Sequence, residues 1–92
     1  MSSSHIEILK ICNRKGLHAR ASAKFVECVE KFDVDIRVSK DGHVVGGDSI
    51  MGLMLLAASN GTELHVSATG TDAKKAIAAL SDLVNGKFGE DE

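Results

Sequence analysis

The sequence predicts an α+β fold, a four-stranded antiparallel sheet with three helices on one face, in the order β-α-β-β-α-β-α. Three observations lead there. Residues 34–39 (VDIRVS) and 62–69 (TELHVSAT) alternate apolar and polar side chains, the period of a strand with one wet face. Residues 19–32 and 72–84 repeat their apolar positions at helical spacing instead. These patterns follow one another with no internal repeat, no linker and no low-complexity tract beyond the first few residues. Residues 1–92 therefore read as a single domain with one modest core.

In chain order, residues 1–5 are short and polar and are expected to fray. Residues 6–12 (IEILKIC) are rich in β-branched and apolar types and read as the first strand, although their alternation is imperfect. From Ala19 to Phe32 a helical stripe runs through Ser22, Phe25, Val26, Val29 and Phe32 or Asp33. The second strand, 34–39, sets Val34, Ile36 and Val38 on one face and Asp35, Arg37 and Ser39 on the other. Lys-Asp-Gly at 40–42 supplies a hairpin turn into the third strand, 43–45 (HVV). Residues 49–59 (SIMGLMLLAAS) form a short apolar helix closed by an Asn60-Gly61 turn. The fourth strand, 62–69, points Leu64, Val66 and Ala68 inward. In the last helix Ala73, Ala76, Ile77, Leu80, Leu83 and Val84 share a stripe, Thr71 or Asp72 caps its start and Gly86 ends it. Residues 87–92 are again expected to fray.

Composition excludes several classes of function. Hydrophobic residues make up 43% of the chain, enough for a globule and too many for a disordered tail. No apolar run approaches the roughly 20 residues that cross a bilayer, and Met1 to His5 does not open a signal peptide. A net charge of -2 and only three aromatics, Phe25, Phe32 and Phe88, argue against nucleic-acid binding. Cys12 and Cys28 lack CxxC spacing and point to two free thiols, partly buried, in a reducing cytoplasmic setting; spacing alone does not decide against a disulfide. His5, His43 and His65 have no metal-ligand spacing and read as surface residues, so neither a zinc site nor another cofactor is expected. There is no P-loop and no nucleophile–base–acid set, which argues against an enzyme with its own turnover.

The stretch Lys15-Gly-Leu-His-Ala-Arg-Ala-Ser22 is different. His18 directly precedes the first helix, where unpaired N–H groups and the helix dipole favour an anion. Ordinary capping would place Ser, Thr, Asp or Asn there. A neutral imidazole is also a nucleophile, and Arg20 in the first turn offers planar donors to phosphate oxygens. Gly16 lets the backbone turn tightly ahead of the ring. These parts suit a phosphoryl group taken onto nitrogen. They also suit an exposed histidine serving as an imperfect cap, and the residue types leave both readings open.

GLHARAS (16–22) resembles the phosphorylation-site signature of the HPr family, the histidine-containing phosphocarriers of the bacterial phosphoenolpyruvate-dependent phosphotransferase system. DSIMGLMLLAA (48–58) resembles that family's regulatory-serine segment, and GTELHVSATGTDAKKAIAAL (61–80) its last strand and helix. The likeness runs from Ile6 to about Val84. It implies an open-faced β-sandwich with the element order given above. It implies that His18 takes phosphate on Nδ1 from enzyme I and passes it to an enzyme IIA protein, with Arg20 contacting the phosphate. It further implies phosphorylation of Ser49 by HPr kinase/phosphorylase, and partner docking through Leu17, Ile50, Met51 and Met54 by a cytoplasmic monomer. Two positions depart from the family pattern. Ala21 stands where proline is common, and Asp48 replaces a basic or neutral residue before the serine.

Ser49 also has a purely structural reading, since it or Asp48 can cap the second helix. Ile50, Met51, Leu53, Met54, Leu55 and Leu56 crowd so short a helix that one face cannot hide them all. The remainder predicts an exposed contact patch, for which methionine is well suited. The competing function is a small regulatory binding module that holds an anion non-covalently at His18 and Arg20.

Overall fold

In the computed structural model, which describes residues 3–92, alternation and helical spacing become the elements expected, with shifted boundaries. The chain runs β1 (Ser3–Lys10), α1 (Ala19–Val29), β2 (Asp35–Lys40), β3 (His43–Gly46), α2 (Ile50–Leu55), β4 (Glu63–Gly70) and α3 (Ala73–Asn85), followed by a 3-10 turn at Lys87–Gly89. The four strands form one antiparallel sheet in the order β1-β4-β2-β3.

Register follows from the alternation. Leu9 lies opposite Leu64, Val38 opposite Val66 and Ile36 opposite Ala68, and all six side chains are buried. The helices close over that face. α1 contributes Ala21, Phe25, Val26 and Val29, and α3 contributes Ala73, Ala76, Ile77, Leu80 and Val84. The β2–β3 turn uses positive φ at both Asp41 and Gly42, the geometry whose twist matches that of a two-residue hairpin. Asp72 precedes α3 but bonds elsewhere: its Oδ2 accepts from the Asp33 N–H at 2.8 Å, tying the α1–β2 connection to the start of α3.

The imperfect alternation of β1 arises because Ile6 and Ile8 lie on the open face of the sheet, opposite Ser67 and His65, and are exposed. The chain ends are more ordered than their composition implies. Met1 and Ser2 lie outside the described residues, but residues 3–5 belong to β1, with Ser3 paired to Gly70. Residues 87–92 are fastened rather than frayed. Phe88 is fully buried, Lys24 Nζ donates to the Phe88 carbonyl at 2.6 Å, and the Arg14 N–H donates to the Glu92 carbonyl at 2.7 Å. One large apolar side chain seated in the core orders a segment that is otherwise polar.

Candidate functional site: an anion-receptive histidine at the start of a helix

The loop between β1 and α1 is shaped by Gly16. Its φ of +66° lies in the left-handed region, and a Cβ there would stand 2.3 Å from the Ala58 carbonyl oxygen. The loop thus lies flush against the segment after α2, and the next residue, Leu17, donates its N–H to that same Ala58 carbonyl at 2.8 Å. Asn13, fully buried, closes the turn by donating from Nδ2 to the Gly16 carbonyl at 2.9 Å. Together these contacts deliver His18 to the N-cap position of α1 in an extended conformation, with φ -72° and ψ 179°.

His18 makes no side-chain cap, and the first turn of α1 contains no acid. The opening N–H groups of the helix therefore receive no side-chain cap from His18, and the helix dipole there favours negative charge. Helix formation begins with the Ser22 N–H donating to the His18 carbonyl at 2.9 Å. Ala21, at the position where the family commonly has proline, is fully buried. Alanine serves the first turn as a good helix former that also keeps its own N–H.

The imidazole is 26% exposed, and only its Nε2 has a partner among the described residues, Glu90 Oε2 at 2.5 Å. The other carboxylate oxygen, Oε1, accepts from Asn13 Nδ2 at 3.0 Å. The Asn13 amide, then the His18 ring, hold the Glu90 carboxyl below its usual range, and the charge of Lys15 adds to this against the opposing effect of burial. An open cleft beside the ring is lined by Arg14, Lys15, Arg20, Glu90 and Glu92. Arg14 pairs with Glu92 at 2.7 Å, both largely in solvent, whereas Arg20 has no ion pair among the described residues. A ring nitrogen and a guanidinium, each without a partner among the described residues, thus converge with an uncapped helix start on one cleft. Among the described residues, no three His, Cys, Asp or Glu side chains are grouped to hold a metal ion.

Residues 7–86 match the family described as "PTS HPr component phosphorylation site". The chain belongs to the HPr family. It is 48% identical over 84 residues to a phosphocarrier protein HPr of Neisseria meningitidis, covering 91% of this chain and 94% of that one. A crystal structure of HPr-C-His from Thermoanaerobacter tengcongensis superposes with a TM-score of 0.91 at 44% identity, covering 96% of this chain and 99% of the other. An HPr dimer from the same organism matches with a TM-score of 0.75 at 48% identity, over 89% and 94% of the two chains. The open four-stranded sheet with three helices is the HPr architecture, and the chain is an HPr-family phosphocarrier of the phosphotransferase system.

In this HPr chain the other residues singled out from sequence divide into two groups. Ser49 is the N-cap of α2, its Oγ accepting from the Gly52 N–H at 2.9 Å. Ile50, Met51 and Met54 are exposed on α2, which packs against α1. Leu55, at 79% exposure, belongs with them and was not singled out as a contact residue. Leu17 is corrected: it is only 5% exposed and part of the core, because its backbone bond to Ala58 turns the side chain under the loop. Sequence reasoning gave no role to Asn13, Arg14, Lys15 or Glu90. Lys15 opens the motif stretch and Asn13 and Arg14 precede it, so their polar run was a usable signal. Glu90 lies 72 positions from His18 and carried none. Cys12 and Cys28 are free and partly buried, with Cys12 Sγ donating to the Val84 carbonyl at 3.2 Å and burial pushing the Cys28 thiol upward. No helix of the described residues is long and apolar enough to cross a membrane.

Proposed function

We propose that His18 accepts a phosphoryl group from enzyme I, which is charged by phosphoenolpyruvate, and passes it to an enzyme IIA protein. The observation that carries this reading is the half-buried ring at an uncapped helix start, with Nδ1 and, beside it, Arg20 both without a partner among the described residues. Nδ1 is the nucleophile, the α1 amides receive phosphoryl oxygens and Arg20 balances their charge. The protein is a carrier without turnover of its own and works as a cytoplasmic monomer. It docks its partners through Ile50, Met51 and Met54, joined by Leu55. Ser49 is the regulatory site of an HPr kinase/phosphorylase. Its phosphate would stand at the edge of the docking face beside exposed Asp48, where it repels an acidic partner while the helix start tolerates it.

The test is incubation with enzyme I and phosphoenolpyruvate followed by intact-mass measurement. One phosphate is expected, lost in mild acid because it is bonded to nitrogen. His18→Ala is expected to gain none and to keep its fold. Arg20→Ala is expected to slow transfer, at or below the low end of the roughly 10³–10⁵-fold that transition-state arginines supply elsewhere, since helix amides share the load. Ser49→Asp is expected to slow His18 phosphorylation with little change in Tm. No mass gain together with retained phosphate binding would identify the non-covalent regulatory module instead. Wild-type transfer by Ser49→Asp would leave Ser49 as a helix cap only.

A further inference from the structure

We propose that Glu90 is a positioning residue for transfer at His18, fixing which ring nitrogen carries the proton. The inference rests on His18 being the phosphoryl acceptor and adds how its nucleophilic nitrogen is kept free. A neutral imidazole has one N–H and one lone pair, and a hydrogen bond at either nitrogen decides which is which. Glu90 Oε2 meets Nε2, and Oε1 is held by Asn13 Nδ2, whose amide also bonds the Gly16 carbonyl. The Asn13 and His18 bonds keep the carboxyl ionised, so it only accepts. Nε2 must therefore donate, and the lone pair stays on Nδ1, the nitrogen without a partner among the described residues.

In the transfer step this lone pair forms the bond to phosphorus while the bond from phosphorus to the donor atom breaks, that atom keeping its electron pair. No proton has to leave Nδ1 first. The proton on Nε2 stays where it is, and the positive charge that develops on the phosphorylated ring faces the Glu90 carboxylate. The arrangement joins one end of the fold to the other. Phe88, buried two residues earlier, and Lys24, bonded to its carbonyl, set Glu90 at the ring.

Glu90→Gln is the informative variant because it keeps the shape and changes the chemistry. Asn13 Nδ2 needs an oxygen opposite it, so the new amide oxygen takes the Oε1 place and its NH₂ faces Nε2. The ring then accepts at Nε2, and its proton moves to Nδ1. ¹⁵N NMR of the neutral ring is expected to show mainly Nε2–H in the wild type and mainly Nδ1–H in Glu90→Gln. Phosphoryl acceptance from enzyme I is expected to fall about tenfold or more in Glu90→Gln, by analogy with the 10–100-fold lost when a histidine-orienting carboxylate is removed in metal sites. Glu90→Ala, which frees the ring without forcing the wrong tautomer, is expected to lose less. A merely structural role reverses that order, since glutamine is the closer replacement. Retention of Nε2–H in Glu90→Gln, or a tautomer shift with no slower transfer than in Glu90→Ala, overturns the proposal. The tautomer is read without any phosphorylation, so a wild-type protein that gains no phosphate overturns the acceptor role through a separate measurement.

Discussion

Around His18, individual atoms set the chemistry. Gly16 brings the loop against Ala58 because no Cβ intervenes, and Asn13 spends both amide hydrogens on the Gly16 carbonyl and Glu90. Glu90 is a group whose ionisation departs from its ordinary behaviour. Its carboxyl is lowered first by the Asn13 bond and then by the His18 bond. A carboxyl lowered by folding binds fewer protons folded than unfolded in the window between the two pKa values. Its stabilising contribution is therefore complete above the ordinary glutamate value of about 4.3 and is lost as pH falls through the lowered folded value. Protection of residues 87–92 in hydrogen exchange is expected to be insensitive to this group at neutral pH and to weaken only on acidification below about pH 4.3. Asn13→Ala is expected to move the Glu90 titration upward, measured by the NMR shift of its side-chain carboxyl. An unchanged titration would show that the Asn13 bond does not hold the carboxylate.

The element that decides whether Glu90 reaches the ring is the 3-10 turn. Lys87 and Phe88 have φ of 57° and 55°, a left-handed conformation that costs roughly 1–2 kcal/mol per non-glycine residue. Burying a phenylalanine side chain returns about 1.5–3 kcal/mol, and the Lys24 bond to the Phe88 carbonyl adds to it. The strain of the pair is offset by the buried ring and the Lys24 bond together, so the turn depends on its aromatic ring being in the core. Phe88→Ala is expected to destabilise the protein by about 3–5 kcal/mol in urea unfolding and to abolish the Glu90–His18 contact in NMR. Lys24→Met is expected to loosen the same contact at a smaller cost. Preservation of that contact in Phe88→Ala would show that the segment is held elsewhere. α2 is the other decisive element. Six residues long and started by the Ser49 cap, it buries Leu53 and leaves Ile50, Met51, Met54 and Leu55 outward.

Across the whole molecule, three helices on one sheet face give a single core and leave apolar surface in two places. One is the open face of the sheet, with Ile6, Ile8 and Val44; the other is the outer side of α2. The segment that follows α2 adjoins the His18 loop through the Gly16–Ala58 approach, which ties the proposed docking surface to the loop that carries the ring. Met51→Ala and Leu55→Ala are expected to weaken enzyme I binding roughly tenfold each, about 1.4 kcal/mol. Both residues are exposed (71% and 79%), so stability should change by no more than about 0.5 kcal/mol. The loss is of apolar contact, and the salt dependence of binding should stay as in the wild type. Unchanged binding isotherms for both variants would remove α2 from the docking face.

The sequence by itself determined the order of elements, the inward faces of β2 and β4, the buried stripes of α1 and α3, and the grouping of Gly16, His18 and Arg20. These are properties of near neighbours along the chain, where side-chain period, turn chemistry and helix starts leave a direct trace. Only the tertiary structure decided that Ile6 and Ile8 face outward, that Leu17 is buried and that residues 87–92 are ordered. It alone brought Glu90 to His18 across 72 positions. Those outcomes depend on the pairing of β1 with β4, on where α3 ends and on whether Phe88 finds room in the core. No local periodicity records them, because each depends on the packing of elements distant in sequence.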